Sequence, residues 1–417
     1  MLTLINNEFR KLITRKKTYV ILLGFAAIMA LLIFGKYKDN QNYERWNKPE
    51  AKLEQLKRST THMKVRSEEV EKLIANSTKE EEKAKLLKEK ELYERDLKDL
   101  NESIKSLEES IKKGEKVDWK VELDSEIKSM EKFLEEDNNM PERYKVQQRR
   151  ELNNLKTLRD KGIKPLRGQE FEGFSFLVFS LRDVIFLLIP LLVVVLVSDM
   201  VSGECTPPTL KFLLTQPVKR GKVLAAKFIT SLIASLVIIF SVQLISFLVV
   251  GLIGSFGSAE YPMQYGTKYL FDMTKLDEMN NPTLMEVVGS TKTIAMSTYI
   301  FRMFLIEGLF ILATCAFGFM LSVLAKSSMI SMVVSSVSVF GLTIFSLIGS
   351  RMKSIAPIMQ NLFLSYGSIP NLMEGQYVVS YNNLAFTLER GLIVMAIWAV
   401  ASYIVAHLVF TKRDILI

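Results

Sequence analysis

The chain has 417 residues, 49% of them hydrophobic and 24% charged, with a formal net charge of +9. Two histidines, His62 and His407, and two cysteines, Cys205 and Cys315, are too few for a metal cluster, a disulfide framework or a Cys/His dyad. The glycine pair Gly168 and Gly173 has the spacing of a phosphate-binding loop, but Phe174 follows where Lys is needed, so nucleotide binding of that kind is excluded.

Residues 1–17 open the chain with Leu2, Ile5, Phe9 and Leu12 at helical spacing and Arg10 and Lys11 beside them, which predicts a short amphipathic helix in the membrane interface. A first span follows over residues 18–35, apolar from Tyr19 to Phe34. It runs into Gly35-Lys36-Tyr37-Lys38 without a small-residue cleavage site, so it is expected to stay uncleaved.

Residues 36–173 form a polar insertion. Between Lys36 and Glu172 it carries 33 basic and 32 acidic residues, so the positive excess lies almost wholly elsewhere. Leu86, Tyr93, Leu97, Leu100, Ile104, Leu107 and Ile111 recur at steps of mostly three and four, a heptad seam that Gly114 should end. Leu123, Ile127, Met130 and Leu134 make a second seam, and a third helical stretch from Glu142 carries Leu152, Leu155 and Leu158. The pattern predicts an antiparallel helical hairpin or small bundle outside the membrane. A partner-binding stalk and a solvated spacer both fit it.

The second span is placed at 174–200, apolar from Val184 to Ser198 and interrupted by Arg182 and Asp183. After it, residues 201–222 are a short polar segment with Glu204, Pro207-Pro208, an amphipathic run from Leu210 to Leu214, and the basic turn Pro217-Val218-Lys219-Arg220-Gly221-Lys222. Residues 223–417 hold four more apolar runs, Val223–Ile253, Phe301–Leu324, Met329–Ile348 and Gly391–Phe410, separated by outer loops 254–297 and 349–388. Each run is long enough to cross about 30 Å of hydrocarbon, which takes roughly 17–25 residues. The expected fold is an all-α membrane protein: six transmembrane helices with an extracellular helical coiled-coil insertion between spans one and two.

Lys and Arg resist translocation. Arg10, Lys11, Arg15, Lys16 and Lys17 precede span one; Lys211, Lys219, Arg220, Lys222 and Lys227 surround the start of span three; Lys412 and Arg413 follow span six. With alternating spans these all fall on one side, which places both termini and residues 201–222 in the cytoplasm and residues 36–173 outside. The basic excess thus reports topology, not a nucleic-acid surface, because it lacks a basic patch with interleaved aromatics.

Ionisable neighbours recur near the outer ends of three spans: Arg182 with Asp183, Arg302 with Glu307, and Glu389 with Arg390. They are candidate ion pairs of an external gate, with interfacial snorkelling as the plainer reading. Spans four and five are rich in serine, including Ser322, Ser331 and Ser335, which suits close helix packing.

The segment after span two reads E, T-L, L-L, then P-V-x-R, at Glu204, Thr209, Leu210, Leu213, Leu214, Pro217, Val218 and Arg220. With six spans and an amphipathic start, this resembles the type 2 permease subunits of ATP-binding-cassette transporters; Pro208-Thr209 stands where such permeases often have Gly-Thr. The resemblance implies a homodimer or heterodimer of permeases in a bacterial plasma membrane, bound to separate cytoplasmic ATPase subunits. It also implies no cofactor on this chain, ATP and Mg being held by the partner. Glu204, Thr209, Leu210, Leu213, Leu214, Pro217 and Arg220 would then dock the ATPase. The implied activity is outward transport of a peptide, antibiotic or other amphipathic compound; sodium extrusion and a non-transporting envelope sensor or scaffold are the alternatives.

Overall fold

The computed structural model describes residues 1–76, 80–113, 119–136, 142–168, 170–204, 219–276, 282–349 and 355–412. They fall into two units. One comprises Met1–Gly35, Asn139–Arg150 and Phe171–Ile417, and the other Lys36–Asn138 and Glu151–Glu170.

The first unit begins with α1 (Leu2–Thr14) and the part of α2 (Lys16–Trp46) up to Gly35. Helix α2 outruns the predicted end of span one, because Gly35 costs a helix only about 1 kcal/mol. The break comes where Pro49 disfavours helical backbone at the residue before it. The other spanning helices are α8 (Ile185–Val197, continuing through a turn to Glu204), α9 (Arg220–Ile253), α10 (Met296–Leu324), α11 (Ser328–Gly349) and α15 (Leu388–Lys412), which gives six spans among the described residues. Their outward faces expose Val237, Leu244, Phe301, Val337 and Ile397, as suits side chains that meet lipid rather than water.

Span two is not one continuous helix. Helix α7 (Gly173–Asp183) ends at Val184, whose backbone leaves helical values at φ −128°, ψ −53°, and α8 starts again at Ile185. Ahead of α7 the chain is stapled to the end of α9: Gly173 N–H donates to Ser255 O at 2.8 Å and Ser255 N–H to Phe171 O at 3.3 Å. Gly254 is needed there, since a Cβ would strike the Phe171 carbonyl.

The described residues of loops 254–297 and 349–388 hold more regular structure than an all-helical reading implies. Strands β1 (Pro262–Tyr265) and β4 (Lys292–Ala295) pair antiparallel, and β2 (Tyr269–Leu276) pairs with β3 (Pro282–Glu286) inside them. Arg150 clamps these ladders by donating to Glu286 at 2.6 Å and to Gln264. Short helices α12 (Ala356–Met359), α13 (Ile369–Glu374) and α14 (Gln376–Tyr381) fold back against the spans around a buried cluster of Tyr366, Tyr377, Tyr381 and Phe386. Tyr381 stacks on Phe386 at 4.0 Å. This segment is a packed plug, and its aromatic content, not helical periodicity, was its signature.

The second unit holds α3 (Pro49–Asn76), α4 (Glu80–Lys113), α5 (Trp119–Glu136) and most of α6 (Glu142–Lys161). Lys57 pairs with Glu108 and Lys90 with Glu71, so α3 and α4 run antiparallel. Lys156 pairs with Glu131 and Arg159 with Asp124, which sets α6 antiparallel to α5. Leu123, Ile127, Leu152, Leu155 and Leu158 are buried. Gly114 lies outside the described residues, with α4 ending at Lys113.

Candidate functional site

The segment after span two leaves and re-enters the spans through two stems, residues 198–204 and 219–227. Thr209, Leu210, Leu213, Leu214 and Pro217 lie outside the described residues. The stems, however, are placed, and they converge on one buried ionic cluster.

The first stem is held on its backbone. Ser322 of α10 accepts from the N–H of Val201 at 3.1 Å and of Ser202 at 3.2 Å, while Ser331 of α11 donates to Ser198 O. Two of the serines that suit close packing thus fix the stem to spans four and five. Asp199 pairs with Lys17 at 2.7 Å and Arg15 at 3.3 Å, at the junction of α1 and α2.

Glu204, in the turn Ser202–Glu204, is buried. Its carboxylate accepts from Lys227 at 2.7 Å and Lys11 at 3.3 Å. Lys227, two turns into α9, is 0% exposed and also donates to Glu8 at 2.8 Å. Lys11 closes the ring to Glu8 at 3.0 Å. Two acids and two bases therefore join α1, the end of span two and the start of span three, with a formal charge of zero. Such a largely buried cluster is tolerated because each charge is paired with an opposite one.

Burial alone would raise the Glu8 carboxyl, but the Lys227 ammonium and the hydrogen bonds from Lys227 and Lys11 hold it below its ordinary value. Burial likewise pulls Lys11 down, and hydrogen bonding and attraction to Glu8 and Glu204 hold it above its ordinary value. For Glu8 and Lys11 the cluster thus favours the charged forms.

The second stem packs against span six. At Gly221 a Cβ would meet the His407 ring at 2.8 Å, so a bare backbone lets α9 and α15 approach. Arg220 sits in the first turn of α9. The resemblance puts Glu204 in the ATPase-docking set, and its described contacts point inward. Glu8 and Lys227 were missed as site residues. The signal was a Glu inside an apolar and basic amphipathic helix, and a Lys four residues into the apolar run that starts at Val223.

At the opposite end of the spans, each expected ion pair is split. Arg182 pairs with Glu374 of α13, which also accepts from Tyr299 at 3.0 Å. Burial raises the Glu374 carboxyl more than Arg182 and Tyr299 lower it. Asp183 is exposed at a cavity of about 250 Å³ that Ser346, Ser368, Asn371 and Tyr381 also line. Arg302 lies over the Tyr265 ring at 4.7 Å, and Glu307 is buried beside Gln243. Arg390 donates to Asn361 at 3.0 Å, and Glu389 lines a separate cavity of about 550 Å³ with Lys268 and Lys292. Neighbours in sequence take different partners because α7, α10 and α15 present them to different faces. Among the described residues no group of acids, histidines and cysteines could hold a metal ion.

Residues 2–415 match the family described as ABC-2 family transporter protein. No curated protein matches the chain. Six spans, two stems converging on a polar node and a family match over almost the whole length agree, and the chain belongs to the ABC-2 family transporter proteins as a multi-pass membrane permease, a family that implies a partner ATP-binding subunit.

Proposed function

We propose that the chain is the membrane subunit of an ATP-driven exporter, with residues 201–222 docking a separate ATPase and the ionic cluster passing its movement to the spans. The observation that supports this most is the Glu8–Lys11–Glu204–Lys227 ring, since it ties α1 and α9 to the root of the docking segment. A pull that reaches Glu204 would act on three helices at once. In this reading Leu210, Leu213 and Leu214 form the apolar anchor, with Thr209, Pro217 and Arg220 around it, and Glu204 acts from behind as the tether. Both termini are cytoplasmic, residues 36–173 are outside, and two permeases pair in a bacterial plasma membrane. The cargo is a peptide, antibiotic or other amphipathic compound.

Co-expression with a candidate ATP-binding-cassette ATPase from the same genome, followed by purification and ATP hydrolysis in lipid, tests the proposal. The double change Leu213→Asp and Leu214→Asp should lose the co-purifying ATPase while leaving the permease's own melting temperature unchanged. Retention of the ATPase on that variant would overturn the docking assignment. Stimulation of hydrolysis by sodium and not by amphipathic peptides would replace the cargo with a cation, and full activity without any ATPase would point to a sensor.

A further inference from the structure

Glu307 is 0% exposed and lies eleven residues from the start of α10. Its partner Gln243 is also 0% exposed and lies ten residues from the end of α9. At 1.5 Å per residue both sit about 15–17 Å from the same end of the bundle, near the middle of a hydrocarbon core of about 30 Å. Gln243 Nε2 is 2.6 Å from Glu307 Oε1, whereas Glu307 Oε2 and Gln243 Oε1 are both buried without a hydrogen-bond partner.

Two buried acceptors on one contacting pair, neither with a donor, would be costly at this depth. Among the described residues no charged neighbour offsets an ionised Glu307. Helices α8 and α11 carry no ionisable side chain. Those of α9 are confined to Arg220, Lys222 and Lys227, at least about 24 Å along the helix from Gln243. Arg302 is over Tyr265, and Arg182 of α7 pairs with Glu374 of α13. Helix α15 carries Glu389 and Arg390 in its first turn and then none before Tyr403. One proton resolves all of this: on Glu307 Oε2 it donates to Gln243 Oε1 while Gln243 Nε2 donates to Glu307 Oε1. If the amide is turned over, the 2.6 Å contact itself becomes O–H···O and still needs the proton.

We propose that Glu307 binds a proton and is held as a neutral carboxylic acid in a cyclic acid–amide pair with Gln243, an interhelical latch between spans three and four. The latch joins helices without charge, so it can part and re-form as the spans tilt with no ion stranded in lipid. The proposal is independent of the docking assignment, and its test needs no ATPase.

The test uses the full-length permease in lipid at neutral pH, by infrared spectroscopy and thermal unfolding. The wild type should show the C=O band of a protonated carboxylic acid, and E307Q should lack it. E307Q replaces the acid with an amide that makes the same two hydrogen bonds, so its melting temperature should match the wild type, while Glu307→Ala and Gln243→Leu should melt lower. Absence of the band, or failure of E307Q to fold, would overturn the proposal. So would sodium raising the melting temperature of the wild type and not of E307Q, which would make the two oxygens ligands of a cation.

Discussion

Replacing Lys227 by Met removes the one fully buried cation of the ionic ring while keeping its length and apolar stem. It leaves Glu8 and Glu204 facing each other with Lys11, whose side chain is 49% exposed, as the remaining base. Breaking a buried pair by deleting one partner costs about 3–5 kcal/mol, and Lys11 should keep the loss near 3. Unfolding of the purified permease in mixed micelles, followed by tryptophan fluorescence, measures it. Because most of the loss is stranded negative charge, Lys227→Met should cost far less in a Glu8→Gln, Glu204→Gln background. The reasoning fails if Lys227→Met unfolds within about 0.5 kcal/mol of the wild type, the range of ordinary surface changes. It also fails if the double-glutamine background gives no relief.

The attachment of α1 should depend on pH only at the extremes. Glu8 is held below 4.5, so its contribution is fully present above that value and is lost as pH falls through the lowered one. Lys11 is held above 10.5, so its contribution is present below that value and is lost as pH rises through the raised one. Protease sensitivity of residues 1–14 should therefore be flat between the two, and a rise near neutrality would contradict the ring geometry. At the other end, Arg182→Ala strands Glu374 and should cost about 1–3 kcal/mol. Asp183→Asn should cost nothing measurable by the same unfolding assay; equal losses would restore the sequence-adjacent pair.

The spans were legible because lipid imposes a length and an apolar composition that no other context requires. Their polar pairings were not, because each depends on which helix face meets which neighbour. Lys227 and Glu8 are 219 residues apart, and nothing local marks them as partners. Lys227 counted among the basic residues that set orientation, and it lies near the start of α9; its burial appears only once α1 packs on α9. The seam Leu2, Ile5, Phe9 and Leu12 found the helix α1, yet the positions it buries are Glu8 and Leu12, while Leu2 is exposed. Apolar periodicity could not find a face whose key residue is a carboxylate.

Glu204 and Glu307 set the same problem, an acid removed from water, and the chain solves it in two ways. Glu204 sits at the end of a span where lysines are tolerated, because their stems can lie along apolar surface, and there the protein matches two acids with two bases. Glu307 sits near mid-span, where the helices packed beside it supply no base and an amide is the polar partner in reach. The difference follows from depth. A cation at mid-span would need its own desolvation offset, whereas Gln243 supplies a donor and an acceptor and carries no charge. The ring is therefore sensitive to removal of any charged member, while the mid-span latch should tolerate any change that keeps one donor and one acceptor on each side. That contrast also explains why Arg302, five residues before Glu307, is no substitute: it lies nearer the end of α10, where an aromatic face already takes its charge.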